Sequence, residues 1–344
     1  MKTVLQLIYV SLLIVASYAA QAKPAVIAPK ADSSLLLDVV KVSDNRLITV
    51  GERGHILISE DDGSSWRQVE VPVDVNLTAV DFLDEKHGVA VGFDQTILLT
   101  EDSGETWTIS HQKVSNYQPA LFSVLYNTRN RITAVGSYGL YLETSDGGDT
   151  WNTREVASLS DVYDGFSHFY DLEKRSADTW FIAGEKYIAE ANDEGEEFSK
   201  GMVAVTHDAG RTWKKLNSPY EGSFFGISVT DSGIYVYGLR GNLFHSVNEG
   251  ESWNKVMLKA KSGKVESGLH DMLITPNGTL VLVGTAGALI RKQNEQVTVA
   301  KRADLKGRAA LLNLGEENYI IVGEGGVESY TPDDKDKESA LKGQ

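Results

Sequence analysis

The apolar positions of this chain fall into short runs that end in glycine and recur at a regular distance. They read Leu47-Ile48-Thr49-Val50-Gly51, Val89-Ala90-Val91-Gly92, Thr133-Ala134-Val135-Gly136, Phe181-Ile182-Ala183-Gly184, Tyr235-Val236-Tyr237-Gly238, Val281-Leu282-Val283-Gly284 and Ile320-Ile321-Val322-Gly323. Successive glycines lie 39 to 54 residues apart. Runs this short, rich in β-branched residues and bounded by turn formers, predict strands. A second apolar segment precedes each run, as at Leu35–Val40 and Leu77–Phe82, and a third follows it, as at His55–Ile58 and Thr96–Leu99. Beyond the first stretch of the chain, no segment sustains the 3.6-residue period that the helices of a doubly wound α/β fold need.

A polar octapeptide, Ser/Thr-x-Asp-x-Gly-x-x-Trp, punctuates the repeat. It carries Asp61, Gly63 and Trp66; Asp102, Gly104 and Trp107; Asp146, Gly148 and Trp151; and Asp208, Gly210 and Trp213. In a fifth copy Asn248 replaces the acid, with Gly250 and Trp253. Five of the six tryptophans in the chain are used this way. The carboxylate suits a turn whose N–H groups lack ladder partners, and the indole suits a seam between neighbouring units. Four strands per unit and seven units over residues 35–330 predict an all-β, seven-bladed β-propeller of four-stranded antiparallel blades. The seventh unit has no Trp; Thr331 and Asp333 stand where its octapeptide would begin. The N-terminal segment 23–34 is therefore expected to close the ring, with Ala25-Val26-Ile27-Ala28 as the outer strand of the last blade. The alternative is a three-stranded last blade. Residues 331–344 read as a charged tail.

Composition narrows the setting. Met1-Lys2, the apolar stretch Val4–Tyr18 and Ala20-Gln21-Ala22 form a secretory signal, with cleavage expected after Ala22. The stretch is short for a bilayer span, and no later segment is long enough. A periplasmic or secreted protein is expected, without an integral membrane span after cleavage. Lys and Arg number 33 against 48 Asp and Glu, a formal charge of −15, which argues against nucleic acid as a partner. The absence of cysteine excludes disulfides, thiol nucleophiles, Cys-based zinc sites and a lipid-modified Cys.

The octapeptides resemble the bacterial neuraminidase repeat, or Asp-box, superfamily. The fuller unit, Leu77-Thr78-Ala79-Val80-Asp81-Phe82, then Gly88-Val89-Ala90-Val91-Gly92, then Leu98–Trp107, resembles more narrowly the photosystem II stability and assembly factor-like family. That resemblance implies a non-catalytic, extracytoplasmic propeller that helps assemble or stabilise a membrane complex. The chain departs from cyanobacterial members in lacking an anchor Cys. Of the basic patch the family implies, only Arg53 and Arg240 occupy matching turn positions.

The turns between second and third strands mark the usual binding face of a propeller. They place Glu52, Arg53, Phe93, Asp94, Tyr138, Glu185, Lys186, Tyr187, Arg240 and Glu324 on the expected partner-binding face. Nearby linkers add Tyr117, Tyr163, Phe166, His168, Tyr220 and Phe224, with Phe166 and Phe224 equally readable as core. In the fourth repeat an insertion containing Asn192-Asp193-Glu194-Gly195-Glu196-Glu197 is expected to project from this face. No metal and no cofactor are implied: the histidines show no ligand spacing. The expected role is a monomeric protein-binding assembly or stability factor for a membrane or envelope complex. The alternative is a sialidase-like glycoside hydrolase or a carbohydrate-binding propeller. Its usual Phe-Arg-Ile-Pro signature is absent, the nearest string being Arg129-Asn130-Arg131-Ile132.

Overall fold

The computed structural model describes residues 23–159, 167–188, 198–261, 263–315 and 317–332. Residues 1–22, where the signal is expected, the tip of the fourth-repeat insertion, Tyr163, Phe166 and the tail from Asp333 lie outside the described residues.

Among the described residues, seven antiparallel blade sheets follow one another along the chain, each starting from the innermost strand and moving outwards, with a small two-stranded sheet, Lys259–Ala260 and Gly263–Lys264, between the fifth and sixth. The innermost strands are Leu36–Lys41, Leu77–Phe82, Leu121–Thr128, Ser167–Lys174, Phe224–Thr230, Leu269–Ile274 and Arg308–Gly315. Each touches the next in order, and the last touches the first, so the sheets close a ring and form a seven-bladed β-propeller. The glycine-ended runs are the second strands, buried along nearly their whole length. Among the described residues, blades 1 to 6 have four strands and blade 7 has three. Blade 6, which lacks the octapeptide, instead joins two six-residue strands, Ala288–Gln293 and Gln296–Lys301, through a tight hairpin.

The octapeptide joins third and fourth strands. Its acid gathers the turn: Asp102 accepts hydrogen bonds from the Thr106 N–H at 2.9 Å, the Thr106 hydroxyl at 2.6 Å and the Thr100 hydroxyl at 2.8 Å. Asn248 does the same with one oxygen, taking the Ser246 hydroxyl and the Ser252 N–H. Gly104 sits at φ +85°, and a Cβ there would lie 2.5 Å or less from Ile48 of the preceding blade, at 2.4 Å. The turn of each blade thus leans on its predecessor. The indoles fill the same seams. Trp107 is buried with Ile48, Ile58 and Val69 of blade 1 and meets Phe82 edge-on at 6.2 Å. Trp213 joins Tyr141 and Trp180 between blades 3 and 4, and Trp66 packs with Ile320 and Val322 at the seam of blades 7 and 1.

Ring closure differs from the expectation. Ala25–Ala28 forms no strand in blade 7. It lies along the outer edge of blade 1, where the Ala25 N–H donates to the Val71 carbonyl at 2.9 Å and Gln68 bonds Ala28 N–H and the Val26 carbonyl. Pro24 and Pro29 flank these four residues and limit them to isolated bonds. The 3-10 turn Ala31–Ser33 is what reaches blade 7. It approaches so closely that a Cβ on Gly326 would come within 2.0 Å of the Asp32 carbonyl oxygen. Ala31 is buried against Leu36, Ala310, Ile320 and Val322. The seam is plugged by a turn rather than zipped by a strand.

Candidate partner-binding face

In all seven blades the innermost strand carries a one-residue bulge opposite the glycine that ends the second strand. The bulge brings the carbonyl of the residue before the strand over that glycine. A Cβ at Gly136 would stand 2.0 Å from the Ala120 oxygen, and one at Gly284 would stand 1.8 Å from that of Gly268. Glycine is required there by close approach, not by its backbone angles, which are extended. The bulged residues are Leu37, Thr78, Phe122, Tyr170, Phe225, His270 and Ala309, and all seven line the central channel. They form a collar at its mouth, aromatic through blades 3 to 6.

These rings touch. Phe122 and Tyr170 lie 5.3 Å apart between centroids, Tyr170 and Phe225 5.7 Å, and Phe225 and His270 5.8 Å. His168 stacks on Tyr170 at 5.9 Å and meets Tyr138 at 5.1 Å, carrying the surface outward to an exposed turn. The Tyr170 hydroxyl donates to Glu185 at 2.9 Å, and Glu185 also accepts from the Ser223 hydroxyl. Burial and the Glu185 charge together push the Tyr170 phenol well above its ordinary range.

Below the collar the channel is lined by carboxylates that pin each blade to the next. Asp38 accepts the Val80 N–H at 2.9 Å, Asp81 that of Tyr126 at 2.7 Å, Asp171 that of Ile227 at 2.9 Å, and Asp271 that of Leu311 at 2.8 Å. Ser123 takes the Leu172 N–H, and the Ser228 hydroxyl donates to the Met272 carbonyl, completing the belt from blade 1 to blade 7. Burial pushes Asp38 up to about 6 and Asp271 up to about 7, and raises Asp81 and Asp171 as well.

The turn residues singled out in the sequence divide by geometry. Arg53, Asp94, Tyr138 and Arg240 occupy the same left-handed position at φ 55° to 57°. Arg53 and Tyr138 stand well out, at 79% and 59% exposure, and Arg240 is exposed too. Asp94 is buried, which raises its carboxyl. Glu52 and Glu324 are taken up with the chain itself, accepting the Leu35 and Gly307 N–H groups. Phe93 is half-buried. Glu185, Lys186 and Tyr187 lie on a nine-residue strand, Trp180–Ile188, that pairs with Phe198–Thr206 in place of the short turn of other blades. Of the linker aromatics, Phe224 is core, Tyr220 packs on it, and Tyr117 is 88% exposed. Arg129 and Asn130 lie on the opposite side, beside the octapeptide turn of their own blade.

Sequence reading passed over Phe122, Tyr170, Phe225 and His270. Their signal was present: the collar residue stands fourteen positions before the strand-ending glycine in six blades and thirteen in blade 5.

A family model described as "Photosynthesis system II assembly factor YCF48" matches residues 59–131. The photosystem II assembly lipoprotein Ycf48 of Synechococcus sp. (strain CC9902) is 26% identical over 236 residues, covering 66% of this chain and 62% of that protein. The chloroplastic photosystem II stability/assembly factor HCF136 of Arabidopsis thaliana is 24% identical over 276 residues, covering 70% and 62%. The chain thus aligns with about six-tenths of the length of these relatives. Among solved structures, "YCF48 bound to D1 peptide" superposes with a TM-score of 0.64 at 19% identity, covering 92% of this chain and 100% of the other. The WD40 propeller domain of Doa1 reaches 0.61 at 15% identity, covering 88% and 95%, so this likeness speaks to fold. In its repeat pattern, in the family model over residues 59–131 and in the curated relatives it matches, the chain is similar to the photosystem II assembly factor-like β-propellers.

Proposed function

We propose that this chain is a non-catalytic, exported binding protein that holds a segment of a protein partner across the channel mouth during assembly or stabilisation of a membrane or envelope complex. The observation that carries the reading is the continuous set of touching rings, Tyr138, His168, Tyr170, Phe122, Phe225 and His270, framed by outward-standing Arg53 and Arg240. Rigid aromatic surface beside exposed arginine is the composition of a protein-recognition centre. A relative whose solved structure is described as bound to D1 peptide, and curated relatives named as assembly factors, support the same class of partner. The signal-like first 22 residues support export.

Crosslinking in intact cells followed by capture from the envelope fraction tests this. One defined partner is expected, and its yield should fall at least about tenfold when Arg53→Glu and Arg240→Glu are combined, with the melting temperature unchanged. Capture that survives both this pair and Tyr138→Ala would place the interface elsewhere.

A further inference from the structure

The channel under the collar is a cavity of about 540 Å³ whose lining combines the faces and edges of Phe122, Tyr170, Phe225 and His270 with acid below. Four of its carboxylates, Asp38, Asp81, Asp171 and Asp271, are each occupied by N–H groups of two innermost strands. Glu173 is different. It is partly buried, lines the same cavity, and draws on the backbone N–H of Lys174 on its own strand. Asp171, Asp271 and Asp81 all repel it. Among the described residues, Lys174 is the one Lys or Arg lining the cavity, but it is exposed and its charge acts on Asp81. A negative charge held in this way is costly until a cation reaches it.

The cation this geometry suits is organic. Among the described residues no three His, Asp or Glu side chains converge as a metal ion requires. Aromatic walls attract ammonium and guanidinium groups through their negative faces, and do so best where water is excluded. The long alkyl stem of lysine or arginine matches an apolar collar, and its charged head matches an acidic floor. The opening of the cavity coincides with the surface to which the partner segment is assigned above.

We infer that the channel is a socket for one cationic side chain, lysine or arginine, carried by the bound protein segment; the inference rests on the protein-binding reading. The rim and the socket then read opposite charges of one ligand, Arg53 and Arg240 its acidic groups and Glu173 its basic one. A neutral or acidic residue at the socket position is rejected because it leaves Glu173 without a counter-charge.

The test uses two acetylated, amidated heptapeptides of glycine and serine that differ only in a central lysine or norleucine. Binding is read by titration with ligand-observed NMR on the full mature chain. The lysine peptide is expected to bind at least about tenfold more tightly than the norleucine peptide. Glu173→Gln should erase that difference by weakening the lysine peptide alone. Gln is isosteric with a carboxyl that burial and the neighbouring Asp171, Asp271 and Asp81 already push towards its neutral form, so the fold of this variant should be retained. Phe225→Leu, which keeps an apolar wall without a π face, should weaken the lysine peptide several-fold. Equal binding of the two peptides, no binding of the lysine peptide, or a lysine preference that persists in Glu173→Gln would each overturn the socket. The two readings separate cleanly: partner capture sensitive to Arg53→Glu and Arg240→Glu but accompanied by no lysine preference removes the socket and keeps the face. A lysine preference lost in Glu173→Gln without any captured partner keeps the socket and removes the assembly role.

Discussion

Trp107→Ala is expected to destabilise the protein by about 3–5 kcal/mol, the range for removing a buried aromatic ring. The ring is 5% exposed and lies in the seam between blades 1 and 2, in contact with the cluster of Ile48, Ile58, Val69 and Val71. Its N–H is also satisfied, donating to the Gly104 carbonyl at 2.9 Å. Collapse around the cavity is restricted, because the blades are held at fixed spacing by the channel belt and by closure of the ring. Trp253→Ala should cost clearly less, since that indole is only partly buried. Denaturant midpoints of the two variants, measured side by side, check the ranking. A loss below about 1 kcal/mol for Trp107→Ala would show that the seam does not carry the fold.

Stability should rise, not fall, between about pH 8 and about pH 5.5. Burial lifts Asp38 from 3.8 to about 6 and Asp271 from 3.8 to about 7. Burial also lifts Asp81, Asp171 and Glu173, and Tyr126, Tyr170, Lys174, Tyr237 and His270 are the other titratable groups lining the channel. Between these values and 3.8 the folded chain holds protons that the unfolded chain has released. This contribution is therefore complete below about pH 4 and is lost as pH rises through about 6 and 7. For Asp271 alone the shift corresponds to at most about 4 kcal/mol, or a melting temperature higher by several degrees at the acidic end. The octapeptide acids act in the opposite sense at lower pH. Hydroxyl bonds from Thr150 and Thr144 hold Asp146 down at about 2, so its contribution exists above 3.8 and disappears towards 2. Maximum stability thus falls between the two regimes, near pH 4 to 6. Melting curves across this range check it, and Asp271→Asn should flatten the slope above pH 5. A wild-type profile level from pH 5 to 8 would contradict the role of the channel acids.

Legibility in the sequence followed the range of the interaction. Asp102 and Trp107 advertise themselves because the bonds they make span at most four residues along the chain. The same locality exposed Arg53, Tyr138 and Arg240, which share one turn position in successive repeats. Glu52 and Glu324 occupy the neighbouring position, yet their bonds run 17 residues away to Leu35 and Gly307, so nothing local separated them from free surface residues. Ala25–Ala28 had the composition of a strand, and only the competition between two blade edges decided where it lies.

The repeat by itself determined the number of blades, the octapeptide turns and the burial of indole between units, because a short-range pattern repeated seven times leaves few other ways to cover apolar faces. What the tertiary structure alone decided is the channel. The bulge that turns Phe122, Tyr170, Phe225 and His270 inward is a matter of register between strands. The belt of Asp38, Asp81, Asp171 and Asp271 joins residues more than 39 positions apart. Such groups meet only when the ring closes, and closure is also what brings Glu173 to the channel wall beneath the collar.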